Sequence, residues 1–259
     1  MRLLKRKKRL KGENSANGNL RERFLNYLPA GERILEIGPF TNPTFREYGV
    51  FFDLLDKDGL SMRAISEGLD PAAIPDIDYV DPTGNLNHIK EKFTYIYSAH
   101  VIEHQPDLIY HLQSVSQLLE PGGEYLVIAP DKRYCFDHFI PESSVKEILR
   151  AYQEKRKKPG VLEVFEHRGL TCHNDSAQHW NGNHGLPFDD LKTKYENAVH
   201  EFNSSAYVDV HCWQFTPDSF KYIIEALFSL GECDFEVIQI FETATDDIEF
   251  GCVLRKLQK

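Results

Sequence analysis

The sequence predicts an α/β protein: a mostly parallel sheet with helices on both faces, closed by an antiparallel C-terminal hairpin. Three observations carry this. Short apolar runs alternate with stretches of helical periodicity over roughly residues 20–131, each run ends in polar residues, and the rhythm resumes after residue 213. In order, Leu20, Phe24, Leu25 and Leu28 recur at helical spacing until Pro29-Ala30-Gly31 breaks the run. Arg33-Ile34-Leu35-Glu36-Ile37 reads as a buried strand ending at Gly38. Further strand-like runs, 50–52, 77–80 and 93–97, end at Asp53, Asp81 and Ser98. Leu108, Ile109, Leu112, Val115, Leu118 and Leu119 then form a helical stripe, with Asp107 as N-cap and Pro121-Gly122-Gly123 as stop. Residues 124–129 make a fifth strand.

Residues of about 132–212 break the alternation and read as an insertion over the ligand edge of the sheet. It contains a helix opened by the capping-box pattern Ser144-x-x-Glu147, a polar His-, Asn- and Gly-rich stretch, and a second amphipathic helix over Leu191, Tyr195, Val199 and Phe202. Thr216-Pro217 opens a further helix, and 235–241 with 250–254 read as the closing hairpin.

With 259 residues, 41% hydrophobic and 27% charged, the chain supports one core, so one domain over 19–259 with its insertion follows a basic, polar tail at 1–18. Residues 1–11 hold seven of the thirty basic residues and no acid, leaving 23 basic against 40 acidic groups in the rest. Such an acidic body repels a polyanion, so a nucleic-acid partner is not expected. The basic start lacks the apolar segment of a secretory signal; it reads as a solvated tail or a weak tether to anionic lipid. Five scattered cysteines without a C-x-x-C pair suit a reducing, cytoplasmic setting, and no run of about 18 apolar residues is present. The sequence leaves the oligomeric state open.

The chemistry is concentrated where the strands end. An acid followed by glycine at the end of the first strand allows close approach to a nucleoside, and an acid ending the next strand can take ribose hydroxyls; Glu36 and Asp53 occupy those positions. The pattern G-x-G-x-x-G is absent, so the ligand is expected to lack a pyrophosphate. ILEIGP at 34–39, Asp53, Asp81, YSAHVIEH at 97–104 and LLEPGGEYLVIAPD at 118–131 together resemble the class I S-adenosylmethionine-dependent methyltransferases. Within that family the chain is most similar to methyltransferase-domain proteins associated with bacterial surface-polysaccharide genes. The resemblance implies a Rossmann-like seven-stranded sheet and S-adenosyl-L-methionine as cofactor. It places Glu36, Gly38 and Pro39 at the methionine and ribose end, Asp53 on the ribose, Asp81 toward the adenine, and Ser98 and Ala99 along the site by backbone contacts. The sequence departs from the family at Phe40, which replaces the second motif glycine, and in the short 41–49 connection.

His100-Val101-Ile102-Glu103-His104 also matches the zinc-peptidase pattern H-x-x-E-H, but a strand before it and Pro106 after it argue against one helix presenting both imidazoles. His100, at the end of the fourth strand, is instead the first candidate for general base, with His104 behind it. Six of the eleven histidines fall between 167 and 211, at spacings that match no standard finger or zincin, so no metal site is expected. His173, His179, Trp180 and His184 are better suited to the hydroxyls and ring faces of a sugar. The expected activity is O-methylation of a small polar acceptor, a glycan or nucleotide sugar. The alternatives are a non-catalytic S-adenosylmethionine- or nucleoside-binding module and a zinc-dependent hydrolase.

Overall fold

Seven strands form one sheet in the structure, a computed structural model that describes residues 19–29, 31–186, 190–204 and 208–257. They are β1 (Ile34–Ile37), β2 (Gly49–Asp53), β3 (Tyr79–Val80), β4 (Phe93–Ala99), β5 (Leu119–Pro130), β6 (Phe235–Phe241) and β7 (Glu249–Lys256), in the order β3-β2-β1-β4-β5-β7-β6. Every pairing is parallel except β5 with β7 and β6 with β7, as the closing hairpin requires. The expected basic segment 1–11, and the tail to residue 18, lie outside the described residues.

The near-continuous apolar strands reflect burial on both faces. All four residues of β1 are buried. On one face Leu35, Ile37, Val50, Phe52 and Val127 pack with Leu108, Leu112 and Val115 of α3 (Leu108–Leu118) and Phe220, Ile223 and Leu227 of α8 (Pro217–Ser229). On the other, Ile34, Tyr97, Leu126, Ile128 and Val253 meet Leu20 and Phe24 of α1 (Leu20–Tyr27). Asp107 caps α3 by accepting from the Tyr110 amide, and Thr216 caps α8 by accepting from the Ser219 amide, as the sequence signals predict.

Elements of the sheet region differ from expectation. An unanticipated helix, α2 (Lys57–Ser66), follows β2, opened by Asp56 as N-cap. The fifth strand begins at Leu119 rather than 124, because Leu119 pairs with Phe93 before the turn at Gly122 and the pairing resumes at Glu124. Between β1 and β2 there is no helix, in keeping with the short connection.

The 132–212 segment holds α4 (Val145–Glu154), α5 (Val161–Gly169), α6 (Ser176–Trp180) and α7 (Leu191–Ser204). The Ser144–Glu147 capping box forms at the start of α4, whose Ile148 and Ala151 join the main core. Val164 of α5 and Ala198 of α7 build a small separate core with Val208 and Val210. No helix among the described residues is long and apolar enough to cross a membrane.

Candidate active site

Strand order reverses between β1 and β4, and in an open α/β sheet the crevice beyond the carboxyl ends at such a point is where ligands bind. Ile37 lies beside Ser98 in the register, so Gly38 and His100 leave the sheet as neighbours. Both turn through the left-handed region, Gly38 at φ +69° and His100 at φ +53°, as does Phe40 at φ +38°. For Phe40 and His100 that conformation is strained, and such strain collects at sites where geometry serves a ligand. Gly38 is required there for space as well, since a Cβ would lie 2.6 Å from Val101 Cγ2.

The strand-end acids divide their work. Glu36 is buried and accepts from the Thr44 amide at 2.8 and 3.1 Å and from the Phe45 amide at 3.0 Å, so its carboxylate folds the loop after β1 back over the strand end. Burial raises its pKa, against the opposing pull of those amides. Asp53, at the end of β2, accepts from the Leu54 amide at 2.7 Å through Oδ1. Burial raises its pKa too, offset by neighbouring amides and by Arg63. Arg63 of α2 lies over the Phe40 ring, 5.0 Å from its centroid, and pairs with Asp209 at 2.6 Å. Phe40 packs on Leu60, Ala64 and Ile74, so an apolar surface stands beside the Asp53 carboxylate. Asp81, past β3, accepts from the Thr83 amide and hydroxyl at 2.8 and 2.6 Å. Ser98 is fully buried, with its hydroxyl 2.6 Å from that of Tyr125, so it offers the crevice no surface of its own, whereas Ala99 is partly exposed. An acid for ribose hydroxyls, a glycine that permits close approach and an apolar-aromatic face suit a nucleoside cofactor without a pyrophosphate.

At the end of β4 the H-x-x-E-H stretch does not form one helix. His100 is a left-handed residue, and Ile102–His104 is a short 3₁₀ turn. His100 Nε2 lies 2.6 Å from Glu249 Oε1, and its Nδ1 lies 3.4 Å from Glu103 Oε1. Burial lowers the imidazole pKa, but the two carboxylates outweigh it and raise the value to about 10, so His100 rests as an imidazolium. Glu103 is fully buried; burial raises its pKa, yet the surrounding histidines pull it to about 2. Near it, His104 Nδ1 stands 3.0 Å from Asp209 Oδ1, and His211 Nδ1 lies 2.6 Å from Asp137 Oδ2.

The three histidine candidates of the insertion also gather together, with Trp180 next to His179 on α6. His179 Nδ1 is 2.9 Å from His184 Nδ1, His179 Nε2 is 3.0 Å from the His173 carbonyl, and His138 stacks on His184 at 3.6 Å. Trp180 stacks on Tyr134 at 3.9 Å and donates to the Asp247 carbonyl, so one face of the indole is already covered. A cleft of about 310 Å³ in the insertion is lined by Phe136, His167, Arg168, Thr171, Cys172 and Asn174, and by none of these four candidates.

Sequence reasoning missed Glu249, Asp137, His138 and Asp209, and it gave Glu103 and His211 no individual role. Glu249 was within reach: β7 runs antiparallel to β5, so its first residue lies at the edge where the parallel strands end, as the Pro130–Glu249 pairing shows.

A family model described as "Methyltransferase domain" matches residues 8–226. No curated protein matches the chain. Among solved structures, the chain is similar to an S-adenosylmethionine-dependent methyltransferase from Mesorhizobium loti, with 16% identity, TM-score 0.47, and coverage of 91% of this chain and 96% of that one. A methyltransferase from Methanosarcina mazei shows 14% identity, TM-score 0.44, and 92% and 98% coverage. For the CcbJ methyltransferase from Streptomyces caelestis the values are 10%, 0.46, and 91% and 93%.

Proposed function

The chain belongs to the methyltransferase-domain family, and from that premise we propose that it moves the methyl group of S-adenosylmethionine onto a hydroxyl oxygen of a glycan or nucleotide sugar. The observation that carries this reading is the pairing, across the β1/β4 switch point, of a cofactor-type strand end (Gly38, with Asp53 next to it) with a proton-handling group (His100, Glu103 and Glu249). S-adenosylmethionine supplies, when bound, a methyl group on an activated sulfonium. Asp53 would hold the ribose hydroxyls and Asp81 would face the base, while Glu36 sets the loop through the Thr44 and Phe45 amides.

The protein's remaining tasks are to align the acceptor oxygen and receive its proton. His100 is first choice by position. Because it rests as an imidazolium between Glu249, 2.6 Å away, and Glu103, 3.4 Å away, His100 would first release its own proton to solvent, since carboxylates held this low do not take it, and the neutral imidazole would then receive the acceptor's proton. His104 is the second candidate, further back against Asp209. The insertion, with His173, His179, Trp180 and His184, would supply hydrogen bonds to the sugar. The association with surface-polysaccharide genes belongs to the same proposal, as does a cytoplasmic site of action.

Incubation with methyl-labelled S-adenosylmethionine and a panel of nucleotide sugars and short glycans tests this reading. The expected result is transfer to a hydroxyl, with His100→Ala lowering turnover by about 10²–10⁴ while cofactor affinity holds, and with His104→Ala losing less. Label on nitrogen or carbon acceptors instead would overturn the sugar assignment, and full turnover in His100→Ala would remove the proton-handling role.

A further inference from the structure

Behind His100, whose Nδ1 lies 3.4 Å from Glu103 Oε1, the Glu103 carboxylate and the imidazoles of His104 and His211 converge on one point. Glu103 is fully buried, and neither of its carboxylate oxygens receives a hydrogen bond. Oε1 faces His104 Nε2 at 3.8 Å and His211 Nε2 at 4.0 Å, and the three atoms lie within 4.8 Å of one another. The two imidazoles meet edge to face, with ring centroids 4.7 Å apart.

The far side of each ring explains which nitrogen is free. His211 Nδ1 lies 2.6 Å from the buried Asp137, and His104 Nδ1 lies 3.0 Å from Asp209. A carboxylate at Nδ1 keeps the proton there and turns the Nε2 lone pair inward. With each Nε2 unprotonated, two lone pairs and a carboxylate then point at one another, an arrangement that a bound metal ion stabilises where a second imidazole proton would otherwise sit. Imidazole ligands whose other nitrogen is held by a carboxylate are the usual second layer of a metal site. His167 does not complete the set: its Nδ1 accepts from the His211 amide at 3.2 Å, which puts its proton on the inward-facing Nε2.

We propose that Glu103, His104 and His211 form a binding site for one divalent first-row transition ion of the zinc or cobalt type, with Asp137 and Asp209 as positioning residues. Two imidazoles and one carboxylate are a borderline donor set that suits such ions over magnesium or calcium. Donors about 2.1 Å from one tetrahedral ion stand about 3.4 Å apart, so the trio, now 3.8 and 4.0 Å from Glu103 Oε1 and within 4.8 Å of one another, would close onto an ion by side-chain adjustment. No linear spacing could reveal the site, because residues 103–104 meet residue 211 only through the fold: the Glu103 carbonyl accepts from the Cys212 and Trp213 amides at 2.7 and 3.1 Å. The site does not depend on methyl transfer.

The test uses the full chain, stripped with a chelator, without cofactor or acceptor, and titrated with Co²⁺ and then Zn²⁺ by calorimetry and visible spectroscopy. One ion per chain is expected, with a Co²⁺ ligand-field spectrum of nitrogen and oxygen ligands that Zn²⁺ abolishes. Glu103→Gln should weaken binding by at least about 100-fold, and Asp209→Asn by about 10–100-fold with an altered Co²⁺ spectrum. His179→Ala/His184→Ala should leave the metal stoichiometry and affinity unchanged. Asp209 is more exposed than Glu103, so its variant decides the matter if Glu103→Gln does not fold. Absence of saturable binding in the wild type overturns the proposal, as does binding that survives Glu103→Gln and Asp209→Asn but is lost in His179→Ala/His184→Ala. That last result places the ion among His138, His179 and His184 instead.

Discussion

Gly38 leaves β1 at φ +69°, with the Val101 side chain 2.6 Å from where a Cβ would stand. Gly38→Ala therefore meets two penalties, left-handed backbone strain and overpacking, and should destabilise the fold by about 2–4 kcal/mol in urea unfolding monitored by circular dichroism. A loss under about 0.5 kcal/mol would mean that the turn relaxes freely, at odds with a site shaped by this residue. Gly38, Asp53 and His100 were legible in the sequence because each punctuates an apolar run. The job of Glu36 was not legible. Its partners, Thr44 and Phe45, are backbone amides, and any residue in that loop could have offered them. Asp209 was hidden for a different reason: its partners Arg63 and His104 lie far away in sequence, and one exposed-looking acid among forty carries no signal.

At the scale of elements, caps and stripes predicted well wherever a helix faced the sheet. Ser144 both accepts from the Glu147 amide and receives the Glu147 carboxylate on its own amide, so Ser144→Ala should lower stability by about 0.5–2 kcal/mol, read as a lower midpoint in thermal denaturation. An unchanged midpoint would show that packing of Ile148 and Ala151 alone holds α4. Helix α2 escaped the sequence reading because only Leu60 and Ala64 turn inward, while Met62 and Ile65 are 70% and 65% exposed, so its apolar residues form no single stripe. β3 is an edge strand of two residues, shorter than its apolar run suggests. The insertion tests the acceptor side. Trp180 is clamped on one face by Tyr134, while His184 is held mainly by other imidazoles. His184→Ala and Trp180→Ala should thus raise the acceptor KM or abolish turnover, with cofactor affinity nearly unchanged. Equal loss of cofactor affinity would tie the insertion to the nucleoside instead.

For the whole molecule, the alternation of apolar runs and helical stripes foretold the parallel sheet and its closing hairpin. The strand order, and hence the switch point between β1 and β4, came only from the structure, since pairing between non-consecutive strands leaves no local trace. That order brings Gly38, Asp53 and His100 to one edge, and the antiparallel β7 delivers Glu249 to the same edge. The central claim is that this edge holds S-adenosylmethionine. It is tested most directly by calorimetric titration of the wild-type chain and of Asp53→Ala with S-adenosylmethionine, its demethylated product and NAD. The account predicts micromolar binding of the first two, weakened by about 1.5–3 kcal/mol in Asp53→Ala through loss of a charged acceptor for the ribose hydroxyls. No binding to the wild type, or tighter binding of NAD, would contradict it.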